Sequence, residues 1–530
     1  MMRRAVVTRC SGQCKPVAPA APGGRGGRGG GSGRGGRGGR GRGQQVNEQQ
    51  VSWDVPLRDN PCVAVIGGGL SGLVCAQALA RRGVRADVFD TGEHTVGGRL
   101  ATRSQGAGSL RAEWVPRGLE GAKLAFDHAA QFFTATDPRF QALVDKWLAA
   151  GVVREWAGPV GTWRAGAAGA AGFEPLPEGG PRRYVAAGGM AALAEHLASP
   201  GGKAERLMEV RRPMWVARAS AAPAGWQLTG NNKSQGVYDA VVIAHNGKCA
   251  NRLAAPTGAP LVARQLMRLK LSALWALMVA FPEPLPAPFE GAFIAGSPVL
   301  SWAANNTAKL GLEHPGHPGL QCWTLLSTGA YGRANKVPQE AVPQAVAERV
   351  RDEMLAALGK ALGAQLPQPL AYRCQLWGAA LPTNALAAPC ILDPAARFGV
   401  CGDWLAPPGG AAAAAASLQA AALSGLALAE RLAALRGAAG AERDALAVGL
   451  HEPFAPVANP DIGGFPGAKA PPAADGGAAG GGARRQEAAP ARQGRAGGGG
   501  GGGRGGAAGN GGAAGGLRRP ERPPQPTVAA

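Results

Sequence analysis

The stretch VAVIGGGLSGLVCAQALARRGVRADVFD, Val63 to Asp90, decides how the rest of the chain is read. Glycine makes up 85 of the 530 residues, so a GxGxxG pattern could arise from composition alone. Its surroundings argue otherwise. CVAVI, residues 62–66, is a short apolar run suited to a fully buried strand. Gly67, Gly69 and Gly72 follow at once, and Leu70, Leu73, Val74 and Ala78 then recur at helical spacing over 70–82. Gly83 is placed to end that helix, and RADVFD reads as a second strand with Asp90 at its end. Each part has a physical task. Gly67 permits a tight turn, Gly69 lets backbone approach a pyrophosphate, and Gly72 lets the helix pack against the sheet. The helix start at Leu70 and Ser71 presents amides and partial positive charge to phosphate. Asp90 stands where a carboxylate meets an adenosine ribose hydroxyl, which disfavours a 2′-phosphate. The pattern predicts a Rossmann-type dinucleotide site. A kinase glycine loop is excluded, since the chain has no VAIK-like lysine strand or HRD loop after it.

Composition divides the chain around this unit. Residues 1–47 carry ten Lys/Arg and no Asp or Glu, with GGRGGRGGGSGRGGRGGRGRG at their centre. Residues 438–530 are dominated by Gly, Ala, Pro and Arg. Neither end holds enough apolar side chain to offset the entropy of ordering it, so both are expected to be disordered. Of the net charge of +21, +10 falls in the first segment, +3 in the last and +8 between them, so most of the basic excess lies away from any active site. The basic, acid-free start predicts a transit peptide, with chloroplast as the expected destination and mitochondrion or cytoplasm as alternatives. RGG-type repeats bind RNA through arginine charge and stacking; a low-complexity spacer is the favoured reading here. The nine cysteines are odd in number and form no CxxC pair, which argues against a disulfide framework or zinc site. The run from Ala411 to Ala429 reads as a buried helix, too broken by Gln419, Ser424 and Gly425 to span a membrane.

Shortly after the fingerprint comes VGGRLATR, Val96 to Arg103, which a plain NAD-dependent dehydrogenase does not need. A fingerprint succeeded by GGR resembles the FAD-binding half of the flavin amine oxidase superfamily. The resemblance implies that Gly97, Gly98 and Arg99 run beside the pyrophosphate and flavin. FDHAAQFFTATDPRFQALVDKWLAAGVVREW, Phe126 to Trp156, is similar to the renalase-like branch, where the segment reads FDHGAQYFT; this chain has Ala129 for the usual Gly and Phe132 for the common Tyr. RRYVAAGGMAALAEHLA, 182–198, is similar to that branch's strand and helix leading to the adenine, and MEVRR then implies a backbone contact from Val210 to the ring. YDAVVIAHNGKCANRL, 238–253, reads as a buried strand and turn. Its HNGKC turn and QLWGAALPTN, 375–384, resemble plant and algal members. In GVCGDWLAPPGG, Gly402 and Asp403 stand where the family contacts the ribityl or pyrophosphate, and the next helix would point its N-terminus at the flavin.

The resemblance spans 62 to about 436 and implies an α/β fold with an α+β substrate lobe: a Rossmann-type FAD-binding domain, discontinuous in sequence, plus a substrate domain. The expected segments are FAD-binding 60–111, 185–255 and 385–437, and substrate 112–184 and 256–384. Strand-like runs SALWALMVAF, AFIAGSPVLSWAA and LQCWTLLS and an amphipathic helix in 339–363 fill the second substrate segment. The cofactor expected is non-covalent FAD, for Cys401 lacks the local pattern of covalent attachment. No metal site is expected. A flavin reaction needs orientation and a dry face more than an acid or base. Gln131 and Trp377 are the candidates for that face, set against ordinary core roles; His128 and His245 read as structural. Gln375 replaces the His that bacterial members carry two residues before the tryptophan. The reaction implied is hydride transfer from a small substrate, a dihydronicotinamide or an amine, to flavin, with oxygen or another acceptor taking the electrons. The alternatives are a plastid desaturase or oxidase of an apolar metabolite and a non-catalytic FAD-binding interaction protein.

Overall fold

The computed structural model describes residues 45–457, apart from 106–109, 111–114, 120, 165–171, 200, 203–205 and 407–414. The RGG-rich segment and most of the C-terminal segment lie outside the described residues. Strand β1 spans Cys62–Ile66, helix α1 Leu70–Arg81 and strand β2 Arg85–Phe89. Gly83 comes after α1 at φ +78°, a left-handed value suited to glycine at a helix end. β1 is buried at every position, as a parallel strand covered on both faces must be.

β1 sits inside a six-stranded sheet in the order Met208–Arg211, β2, β1, Ala240–Ile243, Phe398–Val400 and Ile391–Asp393. All neighbours are parallel except the last pair. On one face α1 packs beside Ala191–Ala198 and the long helix Leu418–Ala434, joined by a core of Leu73, Leu79, Leu193, Leu428 and Leu432. A Cβ on Gly425 would stand 2.4 Å from the Ser71 carbonyl, so the two long helices cross at backbone distance.

The second sheet has seven strands, in the order Ala371–Trp377, Leu274–Phe281, Gln321–Ser327, Leu300–Asn305, Gly291–Ala295, Val160–Arg164 and Phe173–Pro175. The three strand-like runs of the sequence fall in it. Helix Gln344–Leu362 covers one face, burying Val350, Met354 and Leu358 against Trp275 and Trp323.

The boundaries expected from sequence shift in four places. Residues 133–155, assigned to the substrate lobe, bury Phe140, Val144 and Trp147 in the core that holds α1. Helix Pro260–Arg268, also assigned there, packs Val262 and Leu266 with Ile391 and Phe398. The tail expected from 438 begins later: Val448 bonds to Leu392, Phe454–Pro456 pairs with Asn384–Leu386, and Phe454 stacks on Trp404 at 5.8 Å. At the other end Val46 packs against the core and the Asn47 amide donates to the Ala255 carbonyl, so order begins before 48. Two local readings change as well. The alanine-rich helix starts at Leu418, where the Ser417 hydroxyl accepts from the Ala420 amide. The HNGKC turn opens into a helix, Gly247–Ala254. Among the described residues no helix is long and apolar enough to cross a membrane, and no three His, Cys, Asp or Glu side chains cluster as metal ligands.

Candidate functional site

The glycine turn lies at the carboxyl end of β1, where parallel sheets bind ligands. Gly67 adopts φ +119°, and a Cβ there would meet the Ala244 carbonyl at 2.8 Å. A Cβ on Gly72 would stand 2.1 Å from the Gly67 carbonyl and 2.9 Å from the Ala244 side chain. Those two positions close the turn onto the sheet. Gly69 is different: a Cβ would find only the Gly97 carbonyl, at 3.9 Å. Its open side lies at the mouth of α1, where no side chain caps the helix. Leu70 and Ser71 form the buried first turn. The first amides of a helix have no intrahelical acceptor, so an uncapped, glycine-lined helix mouth suits a phosphate. Asp90 is drawn into the same turn, its carboxylate accepting from the Gly68 amide at 2.8 Å and the Gly92 amide at 2.7 Å. Val210 lies on the neighbouring strand, in register with Val88.

Gly97 and Gly98 lie against this turn; the Gly97 amide donates to the Gly68 carbonyl at 2.8 Å. Arg99 follows them, and its side chain is turned to a protein partner. Its guanidinium grips both oxygens of Asp403, at 2.6 and 2.8 Å, and donates to the Ala380 carbonyl at 2.9 Å. The two residues expected to touch the cofactor separately thus form one bidentate clamp between distant parts of the chain. Gly402 is pinned behind it, its amide and carbonyl both bonded to the Ser424 hydroxyl.

A cavity of about 600 Å³ runs from Asp90 past Gly98 to Arg103, His128, Arg373 and Trp377. Trp377 lines it. The indole donates to the His128 carbonyl at 2.9 Å and stacks on the His128 ring at 5.4 Å. Gln131 does not line it. Its amide donates to the Asp127 and Ala129 carbonyls and accepts from the Trp302 indole at 3.2 Å, so it is a satisfied core amide. His245 flanks the glycine turn beside Ala244, and Cys401 is fully buried.

Sequence reasoning passes over Arg103, Arg373 and a buried ion pair. Lys309 meets Asp127 at 2.8 Å with both side chains wholly buried. Asp127 also accepts from the Thr102 hydroxyl at 2.6 Å and the Met190 amide at 2.9 Å. Lys309 donates in addition to the Gln131 carbonyl at 3.2 Å. This network fixes the 126–131 segment behind the cavity. The sequence signal for Arg373 is the alternation Arg373, Gln375, Trp377 on one strand, in which only the last two residues carry the family comparison.

Burial, with repulsion from Arg103 and Arg373, lowers His128 to a pKa of about 3. The imidazole is therefore neutral near pH 7 and a poor proton acceptor. Above pH 6.5 neither the folded nor the unfolded chain charges it. Between 6.5 and 3 the unfolded chain takes up a proton that the folded chain refuses, so stability falls. The expected loss from this residue is about 2 kcal/mol between pH 7 and 5. Urea unfolding of wild type and His128→Gln at both pH values measures it, and the variant should lose less by that amount.

Sheet, glycine turn and terminal acid together define a Rossmann-like dinucleotide-binding domain. Residues 65–147 match the family described as an NAD(P)-binding Rossmann-like domain. Among solved structures, a protein designated a protoporphyrinogen oxidase from Exiguobacterium sp. 255-15 is 12% identical, with 71% of this chain and 99% of that chain covered and a TM-score of 0.48. An oxidoreductase from Methanosarcina mazei is 13% identical over 70% and 100% of the two chains, with a TM-score of 0.47. Cyclohexylamine oxidase from Brevibacterium oxydans IH-35A is 14% identical over 71% and 99%, also at 0.47.

Proposed function

We propose that this chain is an FAD-dependent oxidoreductase of the renalase-like type, taking hydride from a small substrate. The observation that carries the reading is the uncapped mouth of α1, lined by Gly69 and closed by Gly67 and Gly72. FAD fits the residues present. The pyrophosphate would lie at that mouth, the adenosine ribose near Asp90 and the adenine near Val210. Gly97 and Gly98 would run beside the cofactor, and the Arg99–Asp403 clamp would hold that wall in place. When bound, the flavin supplies the hydride acceptor, with electrons leaving to oxygen or another acceptor. Trp377 presents an aromatic wall to the substrate and His128 backs it without taking a proton. Arg103, Gln375 and Arg373 orient what enters. Attachment is proposed to be non-covalent, and import into a plastid is proposed from the basic start; the N-terminus of the mature protein tests the latter.

The test is the absorption spectrum of the purified full-length protein, then acid precipitation. Flavin absorbance that passes wholly to the supernatant, as FAD by mass, is expected. A folded protein without flavin absorbance, or one releasing NAD instead, sinks the proposal. A yellow pellet overturns the non-covalent attachment alone.

A further inference from the structure

We propose that Lys309 is a positioning residue for the reacting face: it holds both ends of the 127–131 turn, and that turn sets the plane of Trp377. The inference rests on the flavin reading for what this face does, but not for the geometry that Lys309 imposes.

Lys309 lies on the short helix Asn306–Leu310, directly after strand Leu300–Asn305 of the seven-stranded sheet. Its ammonium is wholly buried, 5.9 Å from the centre of the Trp156 ring. It meets the Asp127 carboxylate at 2.8 Å and donates to the Gln131 carbonyl at 3.2 Å. One cation therefore ties the first and last residues of the turn. The same helix adds a further tie. The Asn306 side chain accepts from the Asp127 amide at 3.1 Å and donates to the Thr324 hydroxyl at 2.8 Å. The residues between these ties meet the walls of the cavity. The His128 carbonyl accepts from the Trp377 indole at 2.9 Å, and the Ala130 amide donates to the Arg99 carbonyl at 3.0 Å. Trp377 ends an edge strand, Ala371–Trp377, which pairs with Leu274–Phe281 on one side. Its indole plane is set by the bond to His128 and by the His128 ring, stacked on it at 5.4 Å. The turn thus joins the Gly97–Gly98–Arg99 wall to the aromatic wall, and Lys309 holds the turn.

Stability alone is a poor reason for this pair. Well-packed apolar residues in place of a buried ion pair are often as stable or more so, because both charges must leave water. What the pair supplies is a single arrangement, since a charge left without its partner in the core excludes the alternatives. That matters at a reacting face, where a misplacement of about 1 Å can cost about a hundredfold in rate.

The test uses the full-length double variant Asp127→Asn/Lys309→Met, which cuts the tie without stranding a charge. The first reading is deuterium exchange of indole N–H groups, followed by nitrogen–proton spectra under native conditions. The Trp377 signal is identified by its absence from Trp377→Phe. Trp226, whose indole donates to the Ala396 carbonyl at 2.9 Å in a separate core, is the internal reference. The second reading is flavin emission per bound flavin, since an indole against a flavin quenches it. Trp377 is expected to exchange at least about tenfold faster in the double variant, with Trp226 unchanged. Flavin emission should move towards that of Trp377→Phe. Wild-type exchange of Trp377 in the folded double variant overturns the proposal. So does equal acceleration of Trp377 and Trp226, which is general loosening, or faster exchange with flavin emission unchanged, which confines the effect to the fold. Asp127→Asn alone keeps an oxygen towards Lys309 and should give a smaller change in the same direction; it supplies the reading if the double variant does not fold. The exchange reading needs no flavin. A protein that holds none would therefore refute the flavin reading and still report the geometry, whereas bound flavin with wild-type exchange would do the reverse.

Discussion

Lys309→Met is expected to lower the stability of the folded chain by about 3–5 kcal/mol, because it strands a carboxylate in the core. Asp127 and Lys309 are both fully buried, and Asp127 additionally holds Thr102 and Met190. Removing the ammonium leaves that charge with hydroxyl and amide donors but no counterion. Asp127→Asn in the same background removes the charge while keeping an oxygen for those donors. The double variant should therefore recover a large part of the loss, giving a coupling of at least about 2 kcal/mol in a double-mutant cycle. Equilibrium urea unfolding of the four proteins is the measurement. Additive effects would mean that the pair does not act as a unit, and that the 126–131 segment is held by its backbone bonds alone.

Gly72→Ala is expected to remove most of the cofactor from the purified protein. The added Cβ would be 2.1 Å from the Gly67 carbonyl and 2.9 Å from Ala244, and neither is the end of a flexible side chain. One is backbone in the turn and the other adjoins a strand at the centre of the sheet. The turn must open or α1 must lift, and either displaces the amides that would face the phosphate. A loss of about 1–3 kcal/mol in stability and at least tenfold in retained flavin is expected. Gly121→Ala is the control, since a Cβ there meets nothing within 4 Å; its effect should stay within about 0.5 kcal/mol. Flavin-to-protein absorbance ratios, beside thermal melts, separate the two effects. Wild-type flavin content in Gly72→Ala would argue against phosphate at this helix mouth.

The β1–α1–β2 unit is legible because three kinds of signal coincide in few residues: an apolar run, glycines in register and a helical period. Four strands of the seven-stranded sheet, Leu274–Phe281, Gly291–Ala295, Leu300–Asn305 and Gln321–Ser327, are legible from their apolar and aromatic content, and the other three are not. The features that escape the sequence depend on partners far along the chain. Lys309 stands in NNTAKL, where a lysine reads as solvated; only the folded chain brings Asp127 to it. Residues 438–457 share the Gly/Ala composition of residues 458–530, and nothing local shows that Val448 and Phe454 find Leu392 and Trp404. The start of the 418–434 helix is hidden because an alanine run favours helix everywhere and marks no beginning, whereas the Ser417 cap does. At the site, Arg99 and Asp403 are each legible, but their pairing with each other is not, since residue type alone does not say which charge a guanidinium will meet. Gln131 misleads for the related reason that an amide's partners are set by the fold around it.

The way the six-stranded sheet is gathered also sets an order of events during synthesis. β1 and β2 leave the ribosome early, but β1's other neighbour is Ala240–Ile243, and the helix crossing α1 at Gly425 comes near the end of the folded region. Until that helix has been made, α1 has no complete partner and the glycine turn is not braced from behind. A nascent chain halted before residue 418 would therefore hold its dinucleotide fingerprint unfinished, with apolar faces of α1 and the parallel strands exposed to chaperones. The glycine turn is thus among the first parts made, and the helix that braces it among the last.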